Sequence, residues 1–205
     1  MLNVDLRGDK RKREFLDSHE VAFVFAVKLT GVKNVIGNCG PVTDEFYVFR
    51  ARGRKLPVSD HQFLVMGPGC AKAMTKLLDV AHSKPWNPAV AFRKGSDIPE
   101  IYHRLCPRNR QLHDAIWLLC LAWRVLPQHQ LLEILNAIYT RPADPVPDHW
   151  FEKFANTLSK DRQGRDIIAL MADLRKQWRD LRWFDFDELL GILRQESPAG
   201  HHRTA

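Results

Sequence analysis

Cysteine is scarce here: four residues among 205, too few for the disulfide framework of a small secreted domain. No apolar run approaches the roughly 20 residues that a membrane-crossing helix requires. The charged start MLNVDLRGDKRKREF is followed by no signal-peptide core, so the expected location is cytoplasmic. Catalytic signatures are also missing. There is no His-Glu-x-x-His and no Gly-x-Ser-x-Gly elbow, and no Gly-Lys-Ser/Thr follows the glycine turn at 67–69. His129 and Glu133 stand four apart without a second histidine. Asp185 and Asp187 precede a helix and read as caps before they read as metal ligands. Internal repeats and low-complexity tracts are absent. The chain therefore names no reaction.

What is present is an ordinary globular composition, 45% hydrophobic and 27% charged, with a basic excess. The net charge is +7 and the isoelectric point is near 9.4. The excess is uneven, +5 over residues 1–100 against +2 over 101–205. Two clusters dominate it, Lys10–Arg13 and the group Arg50, Arg52, Arg54 and Lys55. A basic domain concentrates phosphate-bearing partners by Coulomb attraction and counterion release; the alternative is a surface charged for solubility.

The hydrophobic pattern changes near residue 96 and indicates an α+β chain. Residues 1–18 form a basic arm or short helix. Residues 19–95 form a small antiparallel β-rich module with one helix, 96–196 a helical bundle, and 197–205 a tail. In the module, residues 21–30 read as the best strand, with Val21, Phe23, Phe25, Val27 and Leu29 on one face at period 2. Further strands are expected over 32–36, 45–52 and 62–66, with an edge strand over 89–93 and a helix over 70–82. Ser96 or Asp97 can cap the helix entering the second half. A helix is expected over residues 109–126, apolar nearly all round from Ala115 to Trp123, as a central bundle helix is, with Ile116, Leu119 and Trp123 at its core and Pro127 ending it. Helices follow over 128–140, over 149–159 with Asp148 as cap, over 163–182, and over a final stretch ending at Arg194.

One segment carries a recognisable arrangement, VIGNCGPV…EFYVFRARGRKLPVSDHQFLVMGPGCAKAM, residues 35–74. Cys39-Gly40 leads into a hairpin, and Gly67, Cys70, Ala71 and Lys72 open a helix. Over about 40 residues this resembles the small zinc-knuckle modules of phage and plasmid nucleic-acid-binding proteins. The resemblance implies one bound zinc, a nucleic-acid partner, and a place in phage, plasmid or CRISPR-effector machinery. In this chain Ile36 occupies the position of the first knuckle cysteine. Structural zinc takes four ligands, and Cys39 and Cys70 supply two. His103 and Cys106 are candidates for the rest, and His61 is another donor. The alternative is a metal-free knuckle whose cysteines pack as small apolar residues.

Arg50, Arg52 and Arg54 share one face of the strand at 45–52, with Lys55 beside them. Such a row offers guanidinium forks to successive phosphates, and aromatic neighbours can stack on bases. Lys72, in the first turn of its helix, is a further phosphate contact. Should these arginines not be the grip, the alternative surfaces are Lys10–Arg13 or the helical half around Arg175, Arg179 and Arg182. The leading expectation is a non-catalytic nucleic-acid-binding subunit of a larger complex, contacting other protein subunits through the helical half. The rivals are an inhibitor or adaptor that binds only protein and, further off, a metal-dependent nuclease.

Overall fold

The β-branched and aromatic run after residue 18 forms the longest strand among the described residues. In the computed structural model, which describes residues 2–32, 35–57, 60–90 and 99–196, α1 (Asp9–Ser18) leads directly into β1 (His19–Lys28). A short hairpin follows, β2 (Val35–Gly37) and β3 (Gly40–Val42), then β4 (Glu45–Gly53), β5 (Gln62–Met66) and α2 (Pro68–Leu77). The second half is helical: α3 (Glu100–His103), α4 (Pro107–Trp123), α5 (Gln130–Thr140), α6 (His149–Leu158), α7 (Ile167–Gln177) and α8 (Asp187–Glu196). The α+β class expected from the pattern is the one observed. Among the described residues no helix is long and apolar enough to cross a membrane.

The main sheet is antiparallel with order β1-β4-β5. Both of its faces are buried, because β4 carries the continuous apolar stretch Phe46–Phe49. Phe46 and Val48 point to one side and join Phe25, Val27, Leu29, Phe63 and Val65 against α4–α8. Tyr47, Phe49 and Ala51 point to the other and meet Phe15 of α1 and Ala71 and Met74 of α2. The sheet is thus the middle of three layers. The boundary drawn at residue 96 separates two patterns of sequence, yet the larger core is continuous across it.

Strict alternation fails in β1. Its register against β4 shifts between Phe23, opposite Phe49, and Phe25, opposite Val48. This bulge inserts one residue and reverses the facing. Val21 and Phe23 therefore pack with the α1–α2 layer, and Phe25, Val27 and Leu29 with the helical half.

Asn38 closes the outer edge of β5. Its N–H donates to the Val65 carbonyl at 2.8 Å, and its Oδ1 accepts from Val65 N–H at 2.8 Å. Its Nδ2 donates to Leu2 and Val4 carbonyls, which holds the N-terminal segment alongside. Gly37 permits this approach, since a Cβ there would lie 2.5 Å from the Val65 carbonyl oxygen.

Several helix ends differ from the sequence reading. The helix expected over 70–82 starts at Pro68 and stops at Leu77, where Asp79 takes φ 53°. Arg124, in the left-handed conformation at φ 53°, ends α4 before Pro127 is reached. Asp148 makes no capping bond; its carboxylate pairs with Arg108. The long helix expected over 163–182 is the shorter α7, capped by Asp166, whose carboxylate accepts from Ala169 N–H at 2.7 Å. Trp178 and Leu181 lie beyond it. Ile116 and Leu119 are wholly buried, but the tryptophan at the centre of α4 is Trp117. Trp123 is half-buried and donates to Asp161 Oδ1 at 2.6 Å. Of the strand expected over 89–93, a bridge from Val90 to Leu181 is observed; residues 91–93, the cap at Ser96 or Asp97, and the tail at 197–205 lie outside the described residues.

Candidate nucleic-acid interface

The face of β4 that buries Phe46 and Val48 continues outward to Arg50 and Arg52, where the helical cover gives out. Across β1, Ala22 lies opposite Arg50 and Glu20 opposite Arg52. The small Ala22 leaves Arg50 room to reach α5, where its Nη1 donates to Asn136 Oδ1 at 3.4 Å. Arg52 pairs with Glu20 and donates to the Leu56 carbonyl at 3.2 Å.

Arg50 stands at the junction of two clefts. One, of about 490 Å³, runs between residues 22–26 of β1 and the side chains of α3 and α5. Tyr139, Asn136 and Lys84 are among its walls; the Phe23 ring lies on the other side of the sheet, against Phe49. The other, of about 350 Å³, is lined by Glu20, Val21, Ala22, Arg50, Arg52 and His61. A mainly apolar groove with Tyr139 and Asn136 along one part and two guanidinium groups along the next suits a chain of bases and phosphates.

The remaining basic residues of the expected row lie elsewhere. Arg54 falls in the turn after β4, and its Nη2 donates to the Leu16 carbonyl at 3.0 Å, at the C-terminal end of α1, where a cation complements the helix dipole. Lys55 is exposed in the same turn. Lys72 is exposed on the outer side of α2, across the sheet from Arg50. Period 2 correctly placed Arg50 and Arg52 on one face, but the strand ends before Arg54, so the five residues make no single patch.

The two cysteines of the knuckle do meet. Cys39, in the β2–β3 turn, and Cys70, in the first turn of α2, pack against the same apolar cluster. Burial and then the neighbouring Cys70 thiol push the Cys39 thiol up to about 12, so it stays protonated at neutral pH. Its sulfur donates to the Leu6 carbonyl at 3.4 Å. Cys106 opens α4, with its N–H bonded to the Pro142 carbonyl, and His103 is exposed at the end of α3. Among the described residues no three His, Cys, Asp or Glu side chains form a group able to hold a metal. The donor set for the expected zinc is therefore two thiols, short of the four that a structural site takes.

One assembly in the helical half was not expected from the sequence. Asp114, inside α4, receives Arg182 Nη1 at 2.9 Å and Nη2 at 2.5 Å and the Tyr102 hydroxyl at 2.9 Å. Both members of this ion pair are about 95% buried. Burial alone would raise the Asp114 carboxyl, yet bonds from His113 and Arg182 hold it below the usual range. His113 is buried, and burial pushes its pKa down, which favours the neutral ring. Its Nδ1–H then donates to Asp114 Oδ1 at 3.1 Å, and Nε2 accepts from Tyr139 and Trp117 at 2.9 and 3.1 Å. Arg182, read from sequence as a surface cation, is thus committed internally. The signal available was His113-Asp114 itself, two polar residues directly before the apolar run Ala115–Trp123.

No protein-family model, curated protein or solved structure matches the chain.

Proposed function

We propose that the protein is a non-catalytic nucleic-acid-binding subunit that holds a single strand along the groove over β1. The observation that carries this reading is the position of Arg50 between the two clefts, with Arg52 and His61 on one side and Tyr139 and Asn136 on the other. Guanidinium groups take phosphates through paired N–H donors. The Asn136 side-chain amide and the half-buried Tyr139 on the cleft wall are the groups that meet bases. The basic excess of the first half draws a polyanion toward this side of the protein.

The test is a salt series of binding to labelled single-stranded oligonucleotides. Arg50→Ala/Arg52→Ala should lower the magnitude of the log–log salt slope by about 1.4, at roughly 0.7 per phosphate contact on a single strand. Arg54→Ala/Lys55→Ala/Lys72→Ala, away from the groove, should leave it near the wild-type value. If the wild type fails to bind oligonucleotides even at low salt, the proposal falls and a protein-binding adaptor takes its place.

A further inference from the structure

Trp183 is 81% exposed, although its sequence neighbours are fixed inside. Leu181 and Arg182 before it are buried, as are Phe184 and Phe186 after it, with the two phenylalanine rings stacked at 5.7 Å. Leu181 bridges to Val90, and Arg182 N–H donates to the Ala89 carbonyl at 3.1 Å. The backbone on both sides is thus anchored, and the indole is held outward on a rigid mount. One ring face is occupied by the Arg175 guanidinium, whose carbon lies 3.8 Å from the ring centroid. Arg175 Nη2 is buried without a hydrogen-bond partner, and among the described residues the contact of this cation is the Trp183 ring. Arg179, four residues after Arg175 and four before Trp183, is exposed and enters no ion pair among the described residues.

An exposed aromatic that anchors a protein partner sits within an apolar patch ringed by polar residues. Here the ring is backed by a cation, and Arg179, Asp180 and Asp185 are the exposed residues nearest in sequence. That setting suits a nucleobase on the open face, with phosphates on Arg179. We infer that Trp183, backed by Arg175, is a base-stacking platform for single-stranded nucleic acid, a second contact beyond the β1 groove. The inference rests on the nucleic-acid reading above.

The two contacts are linked by residues 84–90. Lys84 lines the groove, Trp86 pairs with the end of β1, and Val90 reaches Leu181. The six steps from Lys84 to Val90 span at most about 20 Å, a distance that one strand can cover when sites extend over about 4–16 nucleotides.

The experiment compares a labelled dT 12-mer with an abasic strand of equal length, each titrated at fixed salt against wild type, Trp183→Ala, Trp183→Phe and Arg50→Ala/Arg52→Ala. The wild type should prefer dT to the abasic strand. Trp183→Ala should bind dT about 5–100-fold more weakly and lose much of that preference, with an unchanged salt slope. Trp183→Phe should restore most of the affinity. Circular dichroism checks the fold, which replacement of so exposed a side chain should leave intact. If Trp183→Ala binds dT as the wild type does while the arginine variant is weakened, the stacking role is overturned and the groove stands. Equal weakening of dT and abasic binding by Trp183→Ala overturns it too. Absence of any oligonucleotide binding by the wild type overturns both readings.

Discussion

Asp114 and Arg182 are the residues whose individual chemistry decides most. Each is a charge in the interior, compensated by the other and by Tyr102, His113 and the Pro88 carbonyl, to which Arg182 Nε donates at 3.0 Å. Removing one member leaves the other buried and unpaired, which typically costs about 3–5 kcal/mol. Arg182→Met should lower stability by about that amount in urea denaturation. Asp114→Leu/Arg182→Met should be milder than the sum of the single changes, because neither charge is stranded; simple additivity would show that the pair is not coupled. His113 adds a pH dependence. Its folded pKa is depressed by burial, so below the ordinary histidine value of about 6.5 the unfolded chain takes up a proton that the folded chain refuses. Stability should therefore decline as pH falls through 6.5, while above it this contribution is complete. Urea midpoints at pH 7.5 and 5.5 measure the decline, and His113→Asn should flatten it. A sequence shows Arg182 only as one more arginine near a helix end. Its burial depends on Asp114, 68 positions away, and no local pattern encodes that pairing.

At the scale of elements, strand and helix identities were legible, while faces and ends were less so. The strands at 45–52 and 62–66 and the apolar α4 follow from composition and period alone. The facing of β1 did not, because a single bulge at Phe23/Phe25 swaps the faces of half the strand, and no glycine marks it. The helix starts were misread where side-chain chemistry gave two options. Asp148 and Asp166 each precede a helix. Asp148 is drawn away by Arg108, and Asp166 bonds the Ala169 N–H. Replacing an engaged cap costs roughly 0.5–2 kcal/mol. Asp166→Ala should lower the thermal midpoint measurably, and Asp148→Ala should do so far less; equal effects would mean that the capping bond contributes nothing. The candidate groove was half legible. Arg50 and Arg52 share a face by period 2, but the aromatic and amide wall from α5 required the tertiary fold.

The molecule as a whole has one large core that spans the change in sequence pattern, with Phe25, Phe46 and Phe63 of the sheet packed into the same cluster as Trp117 and Leu135 of the helices. Neither half can keep its apolar surface covered without the other. Calorimetry should therefore give one unfolding transition with matching calorimetric and van't Hoff enthalpies. Two resolved transitions would show that residues 19–95 and 96–196 are independent domains. The sheet within this core has unequal borders. Asn38 and the N-terminal segment shield β5, and Trp86 covers the end of β1 through the bonds Lys28 N–H to Trp86 carbonyl and Trp86 N–H to Ala26 carbonyl. The first half of β1, residues 19–24, has no strand partner on its outer side among the described residues. Unshielded strand borders template self-association. A polyanion lying along the groove would cover this one, so the same short stretch would govern both ligand retention and colloidal behaviour: purified free of nucleic acid, the protein would be expected to cluster slowly on storage, and short oligonucleotides would keep it dispersed.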